Sequence, residues 1–570
     1  MPRTTAALSS FVSGEFSAKL DGRTDFDKYS SGCKTLENML VHPQGAAARR
    51  VGTQFISAVK TSSLKTRLIP FEFSTTQTYI LEFGNQYIRF YKDKGQITDS
   101  GSAYEISSPY LTAELFEIKF AQSADVMYLV HKNHAVRKLS RTGHTSWTLA
   151  EVSFTDGPYL SENTTATTLT PSNASTGSRN ITASAITGIN GGVGWLATDV
   201  GRTISMNSGL AIITARTNST VVVATVSKAF SNTNAITDWK LGAFSGTTGH
   251  PSCVSFFEQR LVFAGTSAEP QTLYFSKSGD YENMTTGTNA DDAMVYTIAS
   301  NQVNEIRYLK AVRTLIVGTT GGEFTVSADG TDAAVTPTNV TIKRQSSFGS
   351  ANVDAIPAGN AVLFLQRAKR KIRELQYNFD QDGYIAPDLT ILNETVTDSG
   401  IEEMTYQQSP DSILWCVRQD GILAGLTYQR SDANTIKLAT TAANSAAGTA
   451  IDLTSAPSSD TTQFIYQGVN IANNVLYSSS HGLKTGDVIF YDNVGTSITG
   501  LSENVNYYVS RVDDDQFKLY TDSKLITSVT LTSAHTSEQV DNILQDAKVE
   551  SVASISGTLN EDELWVIVKR

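Results

Sequence analysis

A pair of short strands joined by a turn recurs along this chain, and the recurrence limits what the chain can fold into. Each copy has an apolar strand of four or five residues, a polar or glycine-bearing turn, and a second strand of alternating character, which is the pattern of a β-hairpin. Because the first strand of each copy is almost wholly apolar, we expect it to be covered on both faces. The copies begin at residues 78, 125, 260, 313, 360 and 411, and a half-copy begins at residue 563.

The spacing of the hairpins is nearly constant. Successive starts are separated by 47, 135, 53, 47, 51 and 152 residues, so four of the gaps lie near 50. Propeller blades repeat at about 40 to 50 residues. The two long gaps exceed one repeat by about 85 and 100 residues. The spacing therefore predicts an all-β fold, a β-propeller of about six to eight blades that is interrupted by two inserted β-domains.

The predicted domains follow from this spacing. The second insert contains two strand-rich motifs, HGLKTGDVIFYD at residues 481–492 and NYYVSRVDDDQFKLYTD at residues 506–522, which indicate a small barrel-like β-module. Helical patterning is sparse, with one weak candidate at residues 110–120. The predicted divisions are an N-terminal segment with the first blades (1–160), an inserted β-domain (161–249), the central blades (250–437), the second insert (438–546) and the final propeller strands (547–570).

Composition excludes several classes of protein. Charged residues make up only 18% of the chain and the net charge is −11, which argues against a basic DNA-binding surface. No apolar run approaches the roughly 20 residues of a membrane-spanning helix, and the N-terminus lacks the apolar core of a signal peptide. The three cysteines are isolated from one another in sequence, which favours reduced, buried thiols in a protein made in a cytosol. They are Cys33, Cys253 and Cys416.

Few residues suggest chemistry. His131, His134 and His144 lie close together, and two histidines three residues apart can share a metal ion on a helix, but this segment is a predicted hairpin, which favours exposed turn histidines. The acidic run at residues 513–515 lies in a predicted turn and lacks the later acid of a calcium loop, so a solvated turn is favoured. The sequence therefore predicts no metal site and no cofactor.

The sequence also predicts no enzyme. Sialidase propellers repeat a turn of the form S-x-D-x-G-x-T-W. The nearest match here is residues 327–330 (SADG), in which glycine follows the aspartate directly and no tryptophan follows. The chain contains no nucleophile elbow, phosphate-binding loop, zinc-protease motif or dinucleotide fingerprint. The two carboxylates that cleave a sugar bond come together only in the folded protein and have no sequence motif. A sugar-cleaving enzyme therefore stays open as an alternative.

A basic turn is the candidate contact surface. The segment QRAKRKIREL spans a hairpin turn, so its charges are expected to point into solvent, where they could dock a partner or face DNA. Isolated basic turns are common, and a solvated turn is the alternative. The candidate residues are Arg367, Lys369, Arg370, Lys371 and Arg373.

The motifs resemble a family of bacteriophage tail proteins. In residues 11–56 the resemblance consists of a Gly-Glu turn at residues 14–15, RTDF at 23–26, Leu-X-Asn at 36–38 and a glycine-arginine motif at 45–53, where Val51 stands in place of the usual proline. Further matching segments follow in the family's order over most of the chain outside residues 438–546. They are residues 68–91, 123–131, 154–160, 197–204, 256–284 and 413–430.

The family is the tail nozzle, or tail tubular protein B, of short-tailed phages. The resemblance implies a structural virion protein of the tail, assembled in the host bacterial cytoplasm, with six copies in a ring below the portal adaptor protein. The ring conducts the double-stranded DNA genome and supports fibres or spikes. The motif at residues 481–492 resembles a β-module found in ubiquitin-activating enzymes and in phage structural proteins. Relatives usually continue for tens of residues beyond the motif that ends here at Arg570, so a blade would be incomplete unless the N-terminal segment closes it. Closure by strands from both termini would hide the edges of the sheets.

Two alternatives to this function stay open. One is a glycan-binding or glycan-cleaving propeller of the phage tail tip, and the other is a minor structural protein elsewhere in the virion. For the nozzle, the sequence predicts a channel wall that is acidic or polar, because lysine and arginine contacts to phosphate would slow the passage of DNA. The net charge of −11 per subunit is consistent with such a wall.

Overall fold

The structure is a computed structural model in which the chain forms two compact units. The larger unit comprises Val59–Cys416 and Ala553–Trp565, and the smaller unit comprises Met1–Ala58, Val417–Val552 and Val566–Arg570. The residues that the structure describes are 10–50, 52–74, 76–300, 304–330, 333–430, 436–443, 465–466, 468–470, 473–477, 485, 488–492, 500–502, 505–513, 516–522, 524–531, 539–540, 542–545, 548–557 and 561–569.

The larger unit is built from antiparallel sheets, here called blades 1 to 6, whose strands follow one another in chain order. Blade 1 consists of Arg67–Ser74, Gln77–Gly84, Tyr87–Lys92 and Glu105–Ser107, with the short strands Gly95–Gln96, Thr98–Asp99 and Ser102–Ala103 beside it. Blade 2 consists of Lys119–Ser123, Val126–His131, His134–Gly143 and Ser146–Glu151. Blade 3 consists of Cys253–Phe257, Arg260–Ala264, Thr272–Phe275 and Met294–Thr297.

The remaining blades repeat the same order. Blade 4 consists of Ile306–Ala311, Leu315–Thr319, Gly322–Ser327 and Thr341–Ser346. Blade 5 consists of Ile356–Ala358, Ala361–Leu365, Ile372–Asn378 and Gly383–Ile385. Blade 6 begins with Ile401–Gln407 and Ile413–Arg418, and the chain passes into the smaller unit along the second of these strands.

The recurring hairpins of the sequence form the second and third strands of the blades. In blade 4, for example, Leu315–Thr319 pairs with Gly322–Ser327 in antiparallel register. The apolar second strands Arg260–Ala264, Leu315–Thr319 and Ala361–Leu365 are buried along their whole length. Such strands stay buried because neighbouring blades cover both of their faces, as the sequence predicted.

Consecutive blades pack face to face and close into a ring. Apolar clusters join blade 1 to 2, 2 to 3, 3 to 4 and 4 to 5. Blade 5 meets blade 6 where Ile401 N–H donates to the carbonyl of Lys369 at 2.9 Å. Blade 6 meets blade 1 through the ion pairs Lys65–Glu402 and Arg67–Glu403. In its described residues the unit is therefore a β-propeller of six blades, and its all-β fold class was predicted from the sequence.

The last part of the larger unit, residues 553–565, connects blades 1 and 6. The backbone N–H of Ser556 donates to Glu72 and its carbonyl accepts from Thr78, both at 3.0 Å. The carboxylate of Asp562 accepts from the backbone N–H groups of Gln408 and Ser409, at 2.6 and 3.0 Å. These residues belong to the paired strands Lys548–Ser556 and Asp562–Lys569. Residues 1–58 belong to the smaller unit, so within the propeller it is the C-terminal segment that bridges blades 1 and 6.

An inserted β-domain separates blades 2 and 3 along the chain. It is a six-stranded sheet with a core of its own around Trp195 and Trp239. In spatial order its strands are Leu169–Pro171, Gly177–Ala183, Val221–Lys228, Gly209–Arg216, Thr203–Met206 and Lys240–Leu241.

The smaller unit contains the second inserted β-domain, whose core includes Leu476, Val509, Phe517 and Leu519. His481, Asp514 and Asp515 lie outside the described residues. The spatial order of its main sheet is Gly468–Asn470, Val475–Tyr477, Gln516–Tyr520, Val505–Arg511, Val488–Asp492 and Asn542–Gln545. Other strands of this unit are Gly14–Glu15, Gly32–Cys33, Met39–Val41, Ala47–Arg49, Leu423–Arg430, Ile436–Ala443, Ile465–Tyr466 and Gln539–Val540.

Helices in the described part of the chain are short 3₁₀ turns. The helical candidate at residues 110–120 contains one of them, Thr112–Glu117. None of the described helices is long and apolar enough to cross a membrane. The others are Ala18–Leu20, Asp27–Ser31, Asn190–Gly192, Ala197–Asp199 and Glu394–Thr397.

Candidate functional site

The first strands of the blades surround the propeller axis, and several begin with polar or charged residues. Arg67, Lys119 and Cys253 are the first residues of blades 1, 2 and 3. Asp354 lies two residues before blade 5, and Glu403 lies near the start of blade 6. Because every first strand starts at the same end of the propeller, these side chains from distant parts of the sequence gather there. We call this group the axial cluster.

The axial cluster is held by buried charge pairs. Arg67 Nε donates to Glu403 Oε1 at 2.8 Å, and Arg67 Nη1 donates to the carbonyls of Leu115 and Ile118 at 2.8 and 2.7 Å. Lys119 Nζ lies 3.9 Å from Asp354 Oδ1, and its side chain is 5% exposed. The Arg67–Glu403 contact is a charged hydrogen bond, which is stronger than a neutral one when the surroundings exclude water, whereas Lys119 and Asp354 interact only through their charges.

The thiol of Cys253 completes the cluster without becoming reactive. Its Sγ lies 3.8 Å from Lys119 Nζ and 3.6 Å from the carbonyl oxygen of Ile306. Burial raises the pKa of this thiol and outweighs the opposing effect of the Lys119 charge. Since the thiolate is the nucleophilic form, Cys253 is suited to packing rather than to catalysis.

Between these side chains lies a cavity of only about 20 Å³, which Arg67, Lys119, Asp354 and Glu403 help to line. That volume holds about one water molecule. A cavity of that size does not admit a sugar ring or a nucleic-acid strand.

The basic turn predicted from the sequence lies at the same end of blade 5. Arg367, Arg370 and Lys371 are exposed and Lys369 is half-buried. Lys371 pairs with Asp388 at 2.8 Å. The structure therefore places four of the five candidate residues at the surface.

Arg373 differs from its neighbours because it is buried. Its guanidinium donates to the carbonyl of Ala386 at 2.7 Å and to Gln366 Oε1 at 2.9 Å, and it stacks 3.5 Å from the ring centre of Phe348. Its position explains the difference, since Arg373 lies inside the strand Ile372–Asn378, whose first four residues are all buried, rather than in the turn. The expectation that every charge of the segment points into solvent was wrong for this residue.

The histidines of blade 2 form a second cluster. His131 ends the second strand and His134 begins the third, and their ring centres are 5.2 Å apart. His134 Nε2 lies 2.8 Å from Glu114 Oε2 on the short helix Thr112–Glu117. The hairpin was predicted, but the expectation of exposed histidines was wrong for His131, which is 1% exposed because the turn packs under that helix.

Burial shapes the charges around these histidines. It raises the pKa of Glu114, but hydrogen bonds from the Leu111 backbone and from His134 more than compensate and bring that pKa to about 2. Burial also lowers the pKa of His250 to about 4, with further lowering by the nearby His134 and His131. His144 is not part of this cluster, since its Nδ1 lies 2.7 Å from the hydroxyl of Tyr79 at the opposite end of blade 2. No local sequence pattern points to Glu114 or His250, because only the fold brings them to the turn.

Comparison with known proteins adds no family. No protein-family model matches the sequence, and no curated protein matches it. Among solved structures, the chain is similar to Hsv2p of Kluyveromyces lactis, with a TM-score of 0.28 and 10% identity over 66% of this chain and 97% of that one. It is also similar to YCF48 bound to a D1 peptide, with a TM-score of 0.29 and 10% identity over 64% and 91% of the two chains.

A further similar structure is apo AztD of Citrobacter koseri, with a TM-score of 0.27 and 8% identity over 85% of this chain and 98% of that one. Because these TM-scores are all below 0.5, the likenesses support no statement about the function of this chain.

Proposed function

We propose that this protein is a structural subunit of a phage tail nozzle, a ring of six copies that conducts double-stranded DNA and supports fibres or spikes. The observation that carries the proposal is the ordered series of segments that resemble the nozzle family. Residues 68–91, 123–131 and 256–284 fall in blades 1, 2 and 3. Residues 197–204 fall in the first inserted domain.

The small cavity at the axial cluster supports a role for each propeller as part of the channel wall, not as the channel itself. DNA needs a channel far wider than a cavity of about 20 Å³, so in this proposal the channel lies between subunits and not along the axis of one propeller. Such a ring has head-to-tail contacts, which require two different complementary faces on each subunit.

The two inserted domains are candidates for the faces that meet other tail proteins. Insertions in propellers extend from blade surfaces, where they are free to contact partners. In this proposal, deletion of residues 438–546 leaves rings intact and abolishes the binding of fibres or spikes. Loss of ring assembly in that deletion variant would contradict this assignment of the second insert.

Electron microscopy of the purified full-length chain and of assembled virions tests the proposal. We expect six-fold rings with six times the 61.5 kDa mass of one chain by light scattering, and density for the protein below the portal adaptor. A monomer that stays monomeric when mixed with the other tail proteins, or density elsewhere in the virion, would overturn the proposal. A glycan array run in parallel tests the tail-tip alternative, which predicts specific sugar binding by the isolated chain.

A further inference from the structure

We propose that Glu114, His131 and His134 form a binding site for a divalent transition-metal ion, with zinc as the best match. One carboxylate oxygen and one nitrogen from each ring all lie within 4.8 Å of one another. In a tetrahedral zinc site with bonds of about 2.0–2.2 Å, ligand atoms are roughly 3.3 Å apart. Small side-chain rotations therefore suffice to close the three groups around an ion.

The state of His131 is the second observation that points to a ligand. Its side chain is completely buried, yet its Nε2 makes no hydrogen bond. The nearest carboxylate oxygen is Glu117 Oε2 at 3.6 Å, which is longer than a hydrogen bond. A buried polar atom without a partner is costly, and a metal ion at this nitrogen would remove that cost.

Binding through Nε2 has a defined proton requirement. Nδ1 of His131 accepts a 3.2 Å hydrogen bond from the backbone N–H of Asn133, so the ring proton is on Nε2. A metal ion bound at Nε2 moves that proton to Nδ1. Nδ1 then no longer accepts from the Asn133 N–H, so metal binding costs about one ordinary hydrogen bond. At His134 the ion replaces the proton that is shared with Glu114.

The donor set selects the class of metal. Two imidazoles and one carboxylate suit zinc and its first-row neighbours, whereas calcium and magnesium prefer oxygen ligands alone. A backbone hydrogen bond also holds the carboxylate of Glu114 in place, because its Oε2 accepts from the Leu111 N–H at 2.9 Å. Such a second hydrogen bond orients a metal-binding carboxylate. The ion would tie the helix Thr112–Glu117 to the second turn of blade 2.

Zinc titration of the chelator-treated full-length protein tests the site. We expect one equivalent of ZnCl₂ to bind by calorimetry, and cobalt chloride to give the visible absorption of a four- or five-coordinate site. Glu114→Gln and His134→Gln should each weaken zinc binding at least about tenfold, since removing even an outer partner of a metal ligand costs that much. His144→Gln is the matched control, because it changes a histidine just beyond the far end of the strand His134–Gly143.

The outcomes separate a metal site from a purely structural cluster. Thermal unfolding without metal shows which variants fold, and Glu114→Gln is the conservative one because it keeps an oxygen acceptor for the Leu111 N–H. Absence of zinc binding to the unmodified protein would overturn the proposal. So would equal zinc binding by the unmodified protein and both site variants, which would place the ion on other residues. This proposal does not depend on the nozzle function.

Discussion

At the scale of single residues, the propeller axis depends on charges that lie far apart in the sequence. Arg67 and Glu403 belong to the first and last blades, and their side chains are only 10% and 8% exposed. No local pattern predicts such a pair, because its geometry exists only after the ring has closed. The same holds for Glu114, which meets His134 across a turn that the sequence did predict.

Removing one member of the axial pair should destabilise the protein strongly. Glu403→Gln leaves the guanidinium of Arg67 buried without its carboxylate, which typically costs about 3–5 kcal/mol. Glu402→Gln is the control, because the Lys65–Glu402 pair is 33% and 26% exposed and is expected to contribute less than about 1 kcal/mol. Urea unfolding measures both changes. Equal losses of stability in the two variants would show that burial of the Arg67–Glu403 pair does not matter.

Glu323 in blade 4 should make stability fall as pH rises. Its carboxyl is buried and accepts from the hydroxyls of Ser346 and Ser350, with Tyr308 and Arg373 close enough to affect it. Burial outweighs the hydrogen bonds and raises the pKa of Glu323 above 4.5. The folded state therefore holds the proton more tightly than the unfolded state, and the stability present at lower pH is lost as pH rises through the folded pKa.

The variant Glu323→Gln tests this linkage, because a neutral amide cannot lose a proton. We expect the difference in unfolding free energy between variant and parent to shift in favour of the variant as pH increases from 4.5 towards 7. Denaturant unfolding at several pH values gives this difference. A difference that is constant with pH, or that moves in the opposite direction, would contradict the raised pKa.

At the scale of elements, the hairpins were predictable and their partners were not. The apolar second strands such as Ala361–Leu365 carry their own signal, because burial on both faces requires a continuous apolar run. The first strands vary more, since their starts carry charged residues such as Lys119 that become buried only at the axis. The short outer strand Gly383–Ile385 of blade 5 is half-buried and gives no periodic signal.

The C-terminal segment should open when Asp562 is removed. Asp562→Ala eliminates the acceptor for two backbone N–H groups, those of Gln408 and Ser409, and leaves the backbone bond from Asp562 N–H to the Ser409 carbonyl. We expect local destabilisation of about 1–2 kcal/mol, seen as roughly 5- to 30-fold faster hydrogen exchange at residues 553–557 and 561–565. The exposed neighbour Glu561 provides the control Glu561→Ala, which should exchange like the parent. Unchanged exchange in the Asp562 variant would mean that its side chain does not hold the segment.

At the scale of the whole molecule, regular spacing was enough to predict a propeller with two inserted domains. Repeats of about 50 residues are visible in sequence because each blade must bury the same faces. The number of blades could only be bracketed, because the half-copy at residue 563 gives the same signal as a blade. In the structure this copy is the strand Asp562–Lys569, part of a two-stranded sheet, and the strands described in the larger unit form a ring of six blades.

A nozzle must let DNA pass through without binding it tightly. With a net charge of −11, the full-length chain should show no binding of linear double-stranded DNA tighter than about 10 µM at 150 mM salt by fluorescence anisotropy. Any binding at low salt should involve the exposed Arg367 and Arg370, so replacing both with glutamine should remove about two phosphate contacts and reduce the salt slope by about two. Replacement of Arg344 and Arg179, on other sheets, is the charge-matched control. Sub-micromolar binding at 150 mM salt would contradict a conduit with an acidic or polar wall, because every phosphate contact would then resist the movement of the genome.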